Sequence, residues 1–198
     1  MEIKADKEKQ FAQSVKASRR KYYISAGHRG KGTGACGYGV DEGLEAIFLR
    51  DKVAVAIRTN GRSVITDDDK AQLSAVVKSI NTSCNPDDVS LDIHFNAAGA
   101  AATGVECFVR EGARVTEKLV AIELCRLISN TLGIKNRGVK TDNQGQHSKL
   151  AMCSDIRCNA VLLEVCFLSN QGDVAKYKEH RMEVVRNIID ALTKNYGT

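Results

Sequence analysis

VLLEVCFLSN, residues 161–170, decides the fold. With Ala160 before it, the segment is apolar almost without interruption until Ser169 and Asn170. A short run of that kind, with no polar alternation, reads as a central strand covered on both faces. Doubly covered strands belong to sheets with helices layered on each side, so the rest of the chain is expected to supply interleaved strands and helices.

It does so in both directions. Upstream, residues 22–26, 63–66, 89–95 and 104–109 read as further strands. Between the first two, Ala46, Leu49, Val53, Ala56 and Ile57 form a helical stripe closed by Gly61. Leu73, Val76, Val77 and Ile80 form a second stripe, with Asp67, Asp68 and Asp69 expected to cap and charge its start. A long helix through Leu119, Val120, Leu124, Leu127 and Ile128 ends at Gly133, where glycine suits the left-handed cap. A polar connection leads from there to the central strand. Downstream, one helix starting near Asn170 or Asp173 carries Val174, Tyr177, Val185, Ile188, Ile189 and Leu192. The expected fold is a single α/β domain over residues 22–198, with a mixed, mostly parallel sheet flanked by helices on both faces. Residues 1–21 are charged and polar and read as an arm or short surface helix.

Bulk properties fit that reading. The chain has 198 residues, 43% hydrophobic and 27% charged, with a single Pro and no linker-like tract. That is enough for one well-cored domain and shows no internal boundary. No apolar run approaches the roughly 20 residues that span a bilayer. The first twenty residues mix both charge signs and lack an apolar h-region, so synthesis in the cytoplasm is expected. The seven cysteines are scattered without a CxxC pair, as in proteins that keep their thiols reduced. A net charge of +5 favours an anionic partner only weakly.

The chemistry lies where strands end. In an open α/β sheet, ligands bind beyond the carboxyl ends of the strands. His28 follows the first strand, in the glycine-rich AGHRGKGTGACGYGVDEG that starts at Ala26 and contains Glu42. In VSLDIHFNAA from Val89, alternation puts Leu91, Ile93 and Phe95 on one face, and Asp92, His94 and Asn96 on the other. Glu164 interrupts the central strand, where an ionised carboxylate is costly unless it is paired, bound to a metal or used as a base. Two histidines and a carboxylate suit a catalytic zinc with one position open to water, and a further buried carboxylate suits proton transfer. The pattern points to a metal-dependent hydrolase. Gly32, Gly34 and Gly37 also spell GxGxxG, but Tyr38, Gly39, Val40 and Gly43 continue the loop where a dinucleotide fingerprint would open a helix.

The order AGHRGKGTGACGYGVDEG, LDIHFNAA, GVECFV, NRGVK from Asn136, and LLEVCFLSN resembles the zinc-dependent N-acetylmuramoyl-L-alanine amidases, phage endolysins among them. The resemblance runs from about Tyr23 to the C-terminus. It implies one zinc per chain held by His28, Glu42 and His94, Glu164 as the catalytic carboxylate, and Asn96 and Arg137 along the substrate groove. Peptidoglycan is the implied partner, with neither nucleic acid nor stable membrane insertion. A lysin without a leader would reach the wall through a separately made pore. Glu45 competes with Glu42 as the ligand, and Cys36 lies near His28. The alternative readings are another zinc peptidase or amidohydrolase acting on stem peptides, and a wall-binding module without catalysis.

Overall fold

The computed structural model describes residues 20–144 and 149–196, so most of the N-terminal arm lies outside the described residues. The strands are β1 (Lys21–Ala26), β2 (Cys36–Gly37), β3 (Val40–Asp41), β4 (Ser63–Thr66), β5 (Val89–Asn96), β6 (Val105–Val109), β7 (Asn136–Thr141) and β8 (Asn159–Phe167). The helices are α1 (Glu42–Thr59), α2 (Leu73–Ser83), α3 (Val115–Leu132), α4 (Ala151–Ser154), α5 (Gln171–Glu179) and α6 (Arg181–Thr193). None of the described helices is long and apolar enough to cross a membrane.

Six strands form one sheet in the order β4-β1-β5-β8-β6-β7, and β2 and β3 form a separate small hairpin. β8 is central, as its apolar run requires. It pairs parallel to β5 and antiparallel to β6, while the other neighbours in the sheet are parallel. The sheet is therefore mixed and mostly parallel.

Its two faces are unequal. On one, Tyr22, Ile24, Leu91, Ile93, Val161, Leu163 and Val165 pack with α1, α3 and α6 in the main core. On the other, Tyr23, Ala160 and Cys158 meet Val76 and Ile80 of α2, while Phe108 and Leu162 meet Cys153 of α4. α4 is a single turn and α2 only eleven residues. Coverage of this second face is consequently partial, and the exposed end of it, at the strand C-termini, is the floor of a cleft.

Four local features depart from the sequence-based expectations. The polar connection after Gly133 contains β7, an edge strand whose residues are mostly half-buried and so lack the apolar signal of a core strand. The final helical pattern is two helices, broken at His180. In α1 the stripe runs through Ala54, which is buried, where Ala56 was expected. The fourth departure concerns the aspartate triple, because Gln72 is the N-cap of α2 and makes no side-chain cap bond. Asp67 instead accepts from Arg29 (2.9 Å), Arg50 (3.0 Å) and the Ala26 backbone N–H (3.2 Å). With Arg29 and Arg50 brought beside it, Asp67 is engaged in ion pairs and is not available to cap the helix. The effect is to clamp the chain on both sides of His28.

Candidate active site

The site begins with strand register. His94 on β5 stands opposite Glu164 on β8, and Glu164 stands opposite Glu106 on β6. All three side chains share the face that the helices leave open, so one row across three strands carries an imidazole and two carboxylates. Strands pack about 5 Å apart, which sets the scale of the site. Just beyond His94 the β5–β8 register shifts, and Asn96 pairs with Phe167. The extra residue in β8 lets Phe167 join the cleft.

Glu42 and His28 arrive from the glycine-rich segment. Asp41 caps α1 by accepting from Leu44 N (3.2 Å), and its other oxygen accepts from Gly32 N (2.7 Å), which ties the loop to the helix start. Glu42 is thus the first helical residue and is 2% exposed. Its Oε2 accepts from Ala35 N (2.7 Å), and its Oε1 accepts from Phe95 N (3.0 Å) and lies 3.2 Å from His94 Nδ1 and 3.8 Å from His28 Nε2. Gly34 has a φ of +77°, and a Cβ there would sit 2.4 Å from Glu42 Oε2, so glycine is required both for the turn and for the approach. At Gly27 a Cβ would lie 1.9 Å from His94 Nε2. The two imidazoles meet edge to face, with centroids 5.3 Å apart.

One ligand-capable atom from each of His28, Glu42 and His94 lies within 4.8 Å of the other two. Three donors this close, from three separate segments, converge on one point. Glu45 is elsewhere: its carboxylate is held by Tyr177 and Arg181, on the far side of the helix start. Cys36 is exposed and points its thiol at Asp41.

Electrostatics separate the carboxylates. Burial pushes Glu42 upward, but the His94 ring and the N–H groups of Ala35 and Phe95 outweigh it, holding the group below its ordinary pKa. Burial also dominates at Glu164, whose pKa is pushed up to about 8, with Glu42, Glu106 and Asp92 adding to the rise and His94 opposing it. Its Oε2 is shielded from solvent and has no hydrogen-bond partner among the described residues. His94 is raised well above 6.5, since Asp92 and Glu42 together outweigh its burial. Both ring nitrogens face carboxylate oxygens, Nδ1 that of Glu42 and Nε2 that of Asp92. Nδ1 faces the space shared with His28 and Glu42, and the carboxylates around the ring make this pocket attractive to positive charge.

The far wall of the cleft is built on Glu106, which is 3% exposed. Its Oε1 accepts from Asn96 (2.7 Å), and its Oε2 accepts from Arg137 (2.6 Å) and Lys140 (2.5 Å). Arg137 also lies over the Phe167 ring, 4.9 Å from its centroid. These residues, with His28, Glu42, His94 and Glu164, line a single cleft of about 480 Å³. All six residues expected from the sequence therefore share it. Glu106 and Lys140 were missed, although Glu106 carries the same signal as Glu164, a carboxylate inside an apolar strand.

An α/β domain with a catalytic-type cleft of this composition is an enzyme scaffold, and comparison with known proteins gives its family. Residues 23–194 match the N-acetylmuramoyl-L-alanine amidase family. The chain belongs to that family. A candidate N-acetylmuramoyl-L-alanine amidase from Neisseria meningitidis shares 31% identity and superposes with a TM-score of 0.70, covering 89% of this chain and 94% of its own. The catalytic domain of the CD27L endolysin, which targets Clostridia Difficile, shares the fold with a TM-score of 0.73 at 22% identity, over 88% of this chain and 97% of that one. The uncharacterised Bacillus subtilis protein YqiI is 26% identical over 180 residues, 88% of this chain and 84% of its own length. An uncharacterised Clostridium perfringens protein is 29% identical over 179 residues, 85% of this chain but only 50% of its own length. As a member of this family, the chain is a peptidoglycan amidase.

Proposed function

We propose that the chain is a zinc amidase that cleaves the amide between the lactyl group of N-acetylmuramic acid and the L-alanine of the stem peptide, as a lysis enzyme of a phage or prophage. The observation that carries this reading is the juxtaposition of two donor sets in one cleft. His28, Glu42 and His94 converge within 4.8 Å, and Glu164 stands in register with His94 with one oxygen unpartnered. Two imidazoles and one carboxylate that carries its charge are a donor set suited to zinc. Zinc held there would supply a Lewis acid for the scissile carbonyl and lower the pKa of water.

The protein groups then divide the proton work. Glu164 accepts a proton from the attacking water and returns it to the departing amine nitrogen. Its neighbours keep the two carboxylates apart in role: Glu42, tied to two backbone N–H groups, stays charged, and Glu164, without such partners, is free to exchange its proton. Asn96 and Arg137, both anchored on Glu106 and joined by Lys140, bind and orient the stem peptide and glycan strand. The lysin role is supported by the shared fold with an endolysin catalytic domain. The net charge of +5 supports affinity for an anionic wall.

Metal analysis of protein purified without chelator tests the zinc reading. One zinc per chain is expected, with wall-lytic activity lost on strong chelation and restored by added zinc. Metal content near zero, or lysis indifferent to chelation, contradicts it.

A further inference from the structure

A fourth carboxylate faces the site from beneath. Asp92 precedes His94 by two residues on β5, so strand alternation puts both side chains on one face. Asp92 Oδ2 lies 3.0 Å from His94 Nε2, and the aspartate side chain is only 5% exposed. Its cross-strand neighbour is Leu162, which packs with Phe108 and Cys153, so the contact is made against an apolar wall. A charged hydrogen bond in such surroundings is stronger than the same bond in water.

The two nitrogens of an imidazole cannot do the same job at a metal site. One must offer its lone pair, and the other then keeps its proton and needs an acceptor. In this protein Nδ1 faces Glu42 Oε1 at 3.2 Å, within the cluster of converging donors, and Nε2 faces Asp92. An ionised carboxylate can only accept, so it selects the tautomer protonated on Nε2. We propose that Asp92 is a positioning residue of the metal site: it fixes the His94 ring with its Nδ1 lone pair aimed at the space shared with His28 and Glu42, and strengthens that nitrogen as a donor. The inference rests on the metal-site reading above. Carboxylate partners of this kind are typically worth 10- to 100-fold in metal affinity.

The test uses the full chain, with zinc salt as the probe, in the wild type, Asp92→Asn and Asp92→Leu. Zinc affinity is measured by chelator competition, and the imidazole tautomers by long-range nitrogen–proton correlation spectra. Asp92→Asn keeps the size and an acceptor oxygen but removes the charge, and should weaken zinc roughly tenfold; Asp92→Leu removes the acceptor and should weaken it by up to about 100-fold. The wild-type spectrum should show His94 protonated at Nε2 in the zinc-loaded state. If the leucine variant does not fold, the asparagine variant decides. Wild-type affinity in the folded variants, or metal bound through Nε2, overturns the role of Asp92 alone. No zinc uptake by the wild type overturns the metal-site reading and this inference with it.

Discussion

His94 and Glu164 occupy opposed positions on the two central parallel strands, β5 and β8. One side chain faces His28 and Glu42, with which it could hold a metal ion, and the other carries a carboxyl that burial has pushed up to about 8. The distance between them is fixed by backbone hydrogen bonding, the most rigid ruler a sheet possesses. The proposed mechanism needs a metal-activated water beside its proton acceptor, and adjacent strands would supply that spacing between His94 and Glu164.

Glu164→Gln should preserve the fold and zinc content and reduce wall-degrading turnover by roughly a hundredfold or more, the scale of a lost general base. The amide matches the carboxylate in shape and cannot take a proton from water at neutral pH. Turbidity loss of cell walls, measured beside metal content, checks this. Near-normal turnover at full zinc occupancy would assign the base elsewhere.

The raised pKa of Glu164 also predicts how the metal-stripped protein responds to pH. Its folded pKa is about 8 against an ordinary value of 4.5, so the native state keeps a proton that the unfolded chain has lost between those limits. The stabilising contribution is complete below about pH 4.5 and fades as pH rises through 8, by a few kcal/mol at most. His94, raised by Asp92 and Glu42, acts in the same direction above its ordinary 6.5. Glu42 is lowered and contributes in the opposite sense only in acid. Denaturant melts of stripped protein between pH 5 and 9 should show falling stability, and Glu164→Gln should flatten the slope. An unchanged slope in that variant would contradict the assignment.

Glu42 and Glu45 are separated by a paired comparison of zinc retention after dialysis. Glu42→Ala should lose the metal. Glu45→Ala should keep it, at a cost of about 1–2 kcal/mol in stability from the bonds to Tyr177 and Arg181. Metal lost from the Glu45 variant and kept by the Glu42 variant would reverse the two.

Glu106 is expected to matter through what it holds. Glu106→Ala leaves Arg137 and Lys140 facing each other and frees Asn96. Stability should fall by about 1–3 kcal/mol, below the loss for a fully buried pair because both cations are 28% exposed. KM for wall fragments should rise, while zinc content stays at the wild-type value. A variant that instead loses zinc and keeps KM would place Glu106 in the metal site.

Much of this was legible in the residues themselves. The doubly buried β8, the alternation in β5 and the glycine-rich approach to α1 each have a local physical signature, and they carry the expected site residues. What was not legible depended on partners distant in sequence. Asp67 looks like a capping residue until Arg29 and Arg50 are brought beside it. β7 looks like a polar connection because an edge strand facing a cleft needs polar side chains such as Arg137 and Lys140. Alternation in β5 puts Asp92 on the face of His94, but the contact between the two side chains is visible only in the structure. The break at His180 interrupts a continuous helical pattern and leaves no glycine or proline to mark it.

The central claim is the bond that is cut, and mass spectrometry of peptidoglycan digested by the zinc-loaded chain tests it most directly. Free stem peptides that begin with an unblocked L-alanine are expected, together with glycan strands of unchanged length bearing intact lactyl groups, with roughly a hundredfold less of either from Glu164→Gln. Peptides cut within the stem, or shortened glycan strands with new reducing ends, would contradict it.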